Sequence, residues 1–123
     1  MKRVIFTDKA PKPIGQHSQG VRAGSRVYVA GQTGLIPQEG SLVEGIEAQT
    51  RQAFENIRAI LEAGGATMAD VVKITAHLAD MSLWHQFNEV CKEFFPDSFP
   101  VRTTTQSTLL LALVEIDVIA EID

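Results

Sequence analysis

From Ile46 to Leu61 the apolar residues Ile46, Ala53, Phe54, Ile57, Ile60 and Leu61 recur at helical spacing, and the pattern stops at Gly64-Gly65. That spacing predicts an amphipathic helix of about five turns, closed by a glycine where the backbone turns left-handed. On either side the period drops to two. A chain that changes period in this way has a helix with one apolar stripe and strands with one apolar face, and each needs the other for cover.

The strands follow from the same alternation. Val4-Ile5-Phe6 reads as a short strand, after which Pro11 and Pro13 impose an extended link. The segment Ile14–Val21 leads through a Gly24-Ser25 turn into Arg26–Ala30, which together read as a hairpin. Gly31, Gly34, Pro37 and Gly40 punctuate a loop. Beyond the helix, Val72, Ile74, Ala76 and Leu78 alternate with Lys73, Thr75 and His77 on the opposite face. A second helix carries Leu83, Phe87, Val90, Cys91 and Phe94 along one stripe, with Ser82 as N-cap and an end before Pro96. Pro100 opens a further strand, and Leu113–Asp117 begins the last.

The order β-β-β-α-β-α-β-β within a single domain, residues 1–123, has no internal repeat. Right-handed crossovers put both helices on one face of the sheet. In the last strand Val114, Ile116 and Val118 would face them, leaving Glu115 and Asp117 on the other side among Leu113 and Ile119. A face so apolar, together with the Leu109-Leu110-Leu111 run, predicts self-association.

Eleven basic against fifteen acidic residues give a net charge of -4, with no block of like charge. This argues against nucleic acid as a partner, which requires a basic stripe. No stretch approaches the about 20 apolar residues needed to span a bilayer, so no membrane association is expected. The amino-terminal apolar run is too short for a secretory signal, and the expected location is cytoplasmic. The single Cys91 falls in the helical stripe and reads as a buried hydrophobe.

Arg102 stands out among the chemically active residues. Within Pro100-Val101-Arg102-Thr103-Thr104 it is a lone guanidinium aligned with threonines on a strand, a fork suited to a carboxylate. The alternative is a structural ion pair at a subunit contact, with Glu115 as a candidate partner. His77, Asp80 and His85 lack metal-ligand spacing, so no metal is expected. The glycine pairs Gly15/Gly20 and Gly40/Gly45 lack the rest of a phosphate loop, Ser18 reads as an ordinary loop hydroxyl, and Trp84 and Phe87 read as core or interface aromatics.

Ordered along nearly the whole chain are Pro13-Ile14-Gly15 with Ser18-Gln19, Val29-Ala30-Gly31-Gln32, Gln49-Thr50 with Asn56-Ile57, Val71-Val72-Lys73, Asn88, Phe94-Phe95, Pro100-Val101-Arg102 and Val114-Glu115-Ile116. In these residues the chain resembles the Rid (YjgF-like) family of reactive-intermediate enamine/imine deaminases. The resemblance implies an α+β fold, a six-stranded mixed sheet with two helices packed on one face in a chorismate-mutase-like arrangement, assembled as a homotrimer with clefts at subunit boundaries. It implies hydrolysis of 2-imino or 2-enamine acids to 2-oxo acids and ammonia, without a cofactor. By position, Arg102 would clamp the substrate carboxylate, the backbone N–H of Gly31 would assist, Glu115 would orient or deprotonate the attacking water, and His17, Asn88 and Thr104 would line the pocket. His17 stands where these deaminases commonly have tyrosine, Ala30 where serine is usual, and the turn before the last strand is shorter by two residues. Strand alternation has period two, so Glu115 is expected to keep its orientation. The other readings are a non-catalytic trimeric module that binds small carboxylates, and the ribonucleolytic activity attached to some relatives.

Overall fold

The computed structural model describes Met1–Asp123. The segment marked by the change of period is a helix of 18 residues, α1 (Ile46–Ala63). Its apolar stripe is buried, and with it lie three polar residues, Gln49, Thr50 and Asn56. Gly65, at φ 89°, ends the helix by donating its N–H to Glu62, while the N–H of Ala66 reaches back to Leu61. This paired closure needs a left-handed residue that glycine adopts without steric cost.

Six strands, β1 (Lys2–Ile5), β2 (Gly20–Ala23), β3 (Arg26–Gln32), β4 (Val71–Leu78), β5 (Val101–Gln106) and β6 (Val114–Glu121), form one mixed sheet in the order β1-β2-β3-β6-β4-β5. Gly24, at φ 62°, supplies the positive dihedral that a two-residue hairpin turn requires between β2 and β3. Both β3 and β4 run antiparallel to β6, so they run parallel to each other, and β5 is parallel to β4. Thus α1 and the second helix, α2 (Trp84–Phe94), each join parallel strands, and both pack on the same face.

A cluster of 23 buried residues fills the space between helices and sheet. Phe54 of α1 meets Phe94 and Phe95 at ring-centroid distances of 4.8 and 5.6 Å, locking the two helices together. Along β6 the alternation is complete: Val114, Ile116, Val118 and Ala120 are buried beneath the helices while Glu115 and Asp117 face the other side. No helix is long and apolar enough to cross a membrane.

Three local expectations are corrected. Val72 does not share the face of Ile74. The β4–β6 register slips between Val71 and Lys73, so Val71 enters the core and Val72 is exposed. Ser82 is not the cap of α2. Asp80 accepts the N–H of Ser82 at 2.8 Å and starts a 3₁₀ turn, Met81–Leu83, from which the helix continues. Phe6 lies outside β1 and is exposed, because pairing with β2 ends at Ile5 opposite Gly20.

Candidate active site

Two cavities hold all but Thr104 of the candidate site residues. The first, of about 480 Å³, is lined by His17, Gly31 and Glu115 together with Ile14, Leu35 and Leu109–Leu111. Its back wall is a break in the β3–β6 ladder, where the register jumps from Val29–Val118 to Gln32–Ile116. Gly31 lies in that break, and the Glu115 carboxylate rests where a Cβ at position 31 would be. A side chain at position 31 would therefore push the Glu115 carboxylate aside, even though the φ of Gly31 is not positive.

The cavity's rims are held by buried amides. Gln19, 1% exposed, accepts the N–H of Thr7 at 2.7 Å and donates to the carbonyls of Thr7, Ala10 and Pro11. It ties down the extended link that leads to exposed His17, whose Nδ1 lies 3.1 Å from the Ser18 carbonyl. From α1, Asn56 donates to the carbonyls of Thr33 and Leu35 at 3.1 and 2.9 Å, and Gln49 accepts the N–H of Leu113 at 2.8 Å. Asn56→Leu leaves both carbonyls without that partner and should lower unfolding free energy by about 3 kcal/mol, measured by chemical denaturation.

The second cavity, of about 390 Å³, lies between β5 and α2 and is lined by Arg102, Asn88, Cys91, Lys92, Phe95 and Phe99 among others. The Arg102 guanidinium lies 5.2 Å from the ring centroid of Phe87 and 5.6 Å from that of Trp84, within cation–π range of both. No acidic side chain forms an ion pair with it. Thr104 shares the Arg102 face of β5, two residues on, but is not part of the cavity wall. The aromatic support was missed in the sequence, where Trp84 and Phe87 read as core or interface aromatics. Their position at the start of α2, on the helix that follows β4 and covers β5, is the signal that connects them to Arg102.

Arg102 and Glu115 do not meet within one protomer. Arg102 pairs with core-facing Ile74, whereas Glu115 pairs with His77 on the open face of the sheet. An Arg102–Glu115 ion pair inside one chain is thereby excluded. His17, Gly31 and Glu115 come together at one cavity, and Asn88 and Arg102 come together at another.

Burial pushes the Cys91 thiol up to about 11, against the opposite pull of the Arg102 guanidinium in the same cavity. Cys91 is thus a protonated packing residue at neutral pH. At pH about 7.5 its alkylation by iodoacetamide should be slower than that of an unperturbed thiol by on the order of 10²-fold, followed by mass spectrometry. No three His, Cys, Asp or Glu side chains converge as a metal-binding group.

The family model described as Endoribonuclease L-PSP matches residues 7–122. A RutC family protein of Pyrococcus horikoshii is 47% identical over 98% of both chains. The human protein named 2-iminobutanoate/2-iminopropanoate deaminase is 38% identical over 98% of this chain and 90% of its own length. Among solved structures, E. coli TdcF with bound serine superposes with a TM-score of 0.94 at 34% identity, covering 98% of this chain and 99% of that one.

Proposed function

The chain belongs to the Endoribonuclease L-PSP family, in which relatives carry the name of imine deaminase, and from that footing we propose that it hydrolyses 2-imino acids to 2-oxo acids and ammonia. The observation that carries the proposal is Arg102: a guanidinium steadied by two aromatic faces, open to a cavity and without an acidic partner. Such a fork supplies two parallel donors matched to a substrate carboxylate.

With the carboxylate held there, the imine carbon needs only a water and a proton acceptor. Glu115 is suited to accept a proton from water as its oxygen adds to C2, which gives a carbinolamine. Return of a proton to nitrogen lets the C–N bond break, so one imine and one water yield one 2-oxo acid and one ammonia. A protonated imine is already electrophilic, and positioning supplies much of the rate. The Gly31 N–H and His17 would contact the substrate from the Glu115 side, and Asn88 from the Arg102 side. Because the two half-sites do not meet in one protomer, a complete site takes Arg102 from one subunit and Glu115 from the next, as a homotrimer provides.

The test couples the purified protein to a pyridoxal-phosphate serine or threonine dehydratase and follows decay of the released imine. Acceleration above buffer supports the reading. Its absence, with saturable binding of a small 2-oxo acid, would select a binding module instead. Steeply salt-dependent RNA affinity would favour the ribonuclease reading, which the net charge of -4 opposes.

A further inference from the structure

The Glu115 cavity has walls that the hydrolysis itself does not use, and they are apolar. Leu35 and Leu42 stand opposite each other in an isolated antiparallel bridge, and Asn56 of α1 holds the Leu35 carbonyl. Leu110 and Leu111, from the turn before β6, line the same cavity, as does Ile14 of the extended link. Leu110 is fully exposed in the protomer, and Ile14 and Leu111 are 91% and 86% exposed. Large apolar side chains left this open around one cavity mark a binding surface. The ionisable groups of the wall are Lys12, His17 and Glu115 alone.

Three substituents leave the carbon of a 2-imino acid. In the proposed reaction the carboxylate goes to Arg102 of the neighbouring subunit, and the nitrogen takes part in the proton transfers beside Glu115. The third substituent, the side chain, is left with the leucine walls. A dry apolar cavity of about 150 Å³ suffices to hold benzene. The Glu115 cavity measures about 480 Å³. A methyl group would leave most of that space to water, whereas a branched four-carbon chain takes leucine surface out of water on more than one side.

From these walls we propose that Leu35, Leu42, Leu110 and Leu111 form a side-chain pocket that makes the site selective for 2-imino acids with large apolar side chains. The proposal rests on the deaminase reading for its chemistry, which stays the same: one imine and one water give one 2-oxo acid and one ammonia. Each methylene buried is worth about four-fold in affinity, so the three carbons that distinguish isobutyl from methyl should favour the larger imine by about 10- to 60-fold.

An amino-acid oxidase, with dioxygen as oxidant and catalase to remove the peroxide, releases the two imines from alanine and leucine, and semicarbazide traps what remains. The ratio of kcat/KM, leucine-derived over alanine-derived, should lie in that range. Replacing both Leu110→Ser and Leu111→Ser should lower the ratio by about five-fold or more. Leu42→Ala, in the other wall, should lower it too and carries the test if the double variant fails to fold. Equal kcat/KM for both imines in the wild type would overturn the proposal, as would variants that lose activity on both imines alike. A double variant that loses assembly and keeps its ratio would assign these leucines to a subunit contact and overturn it as well. Calorimetry with the 2-oxo acids needs no turnover: 2-oxo-4-methylpentanoate should bind more tightly than pyruvate and than 2-oxoglutarate. Tighter binding of 2-oxoglutarate, through Lys12, would overturn the pocket. Failure of the deaminase reading would appear separately, as wild-type protein that hydrolyses neither imine, and the order of Kd values would still decide the selectivity.

Discussion

Arg102→Ala should lower kcat/KM for 2-iminobutanoate by on the order of 10²–10³-fold, the loss expected when one partner of a charge-assisted, bidentate contact is removed. The fold should tolerate the change. The guanidinium makes no side-chain ion pair, and its principal contacts are the faces of Phe87 and Trp84. Loss of those contacts is expected to cost about 1 kcal/mol of stability. Arg102→Lys should recover little activity, since an ammonium on a flexible stem offers a point charge in place of a planar fork. Steady-state kinetics with circular dichroism and light scattering make the check. A variant that loses its assembly together with its activity would recast Arg102 as a structural residue.

Mixing two inactive proteins should restore activity. Arg102→Ala subunits retain Glu115, and Glu115→Gln subunits retain Arg102, each on its own face of the sheet. When equal amounts are unfolded together and refolded, random assembly pairs an intact Arg102 with an intact Glu115 at about a quarter of the subunit junctions. About a quarter of wild-type activity should return, while each variant refolded alone stays inactive. If the two residues acted within one chain, no mixture would recover anything, and the half-site arrangement would be refuted.

The sequence carried the elements better than their adjacency. The stripe of α1 and the alternation of β6 were legible because burial imposes period 3.6 on one and period two on the other. The slip at Val71–Val72 was not, since two valines in succession carry no glycine or proline to mark an extra residue in the strand. Asp80 and Ser82 are both competent caps, and only the intervening 3₁₀ turn decides between them. The site shows the same division. Alternation along β6 already put Glu115 on the face away from the helices, but that Arg102 lies on the helix-covered face follows only from its pairing with Ile74 of β4. That is a property of strand order, which local patterns do not encode.

Gln49 and Asn56 stand seven positions apart on α1, and each fastens a different lip of the Glu115 cavity. The lips thus hang from one rod at attachment points about 10 Å apart, the rise of two helical turns. Because both lips are fastened to the same helix, a displacement of α1 is expected to carry them together. Altering which molecules fit would then fall to the protruding tips Leu110 and Leu111, which are highly exposed and bear no part of that suspension.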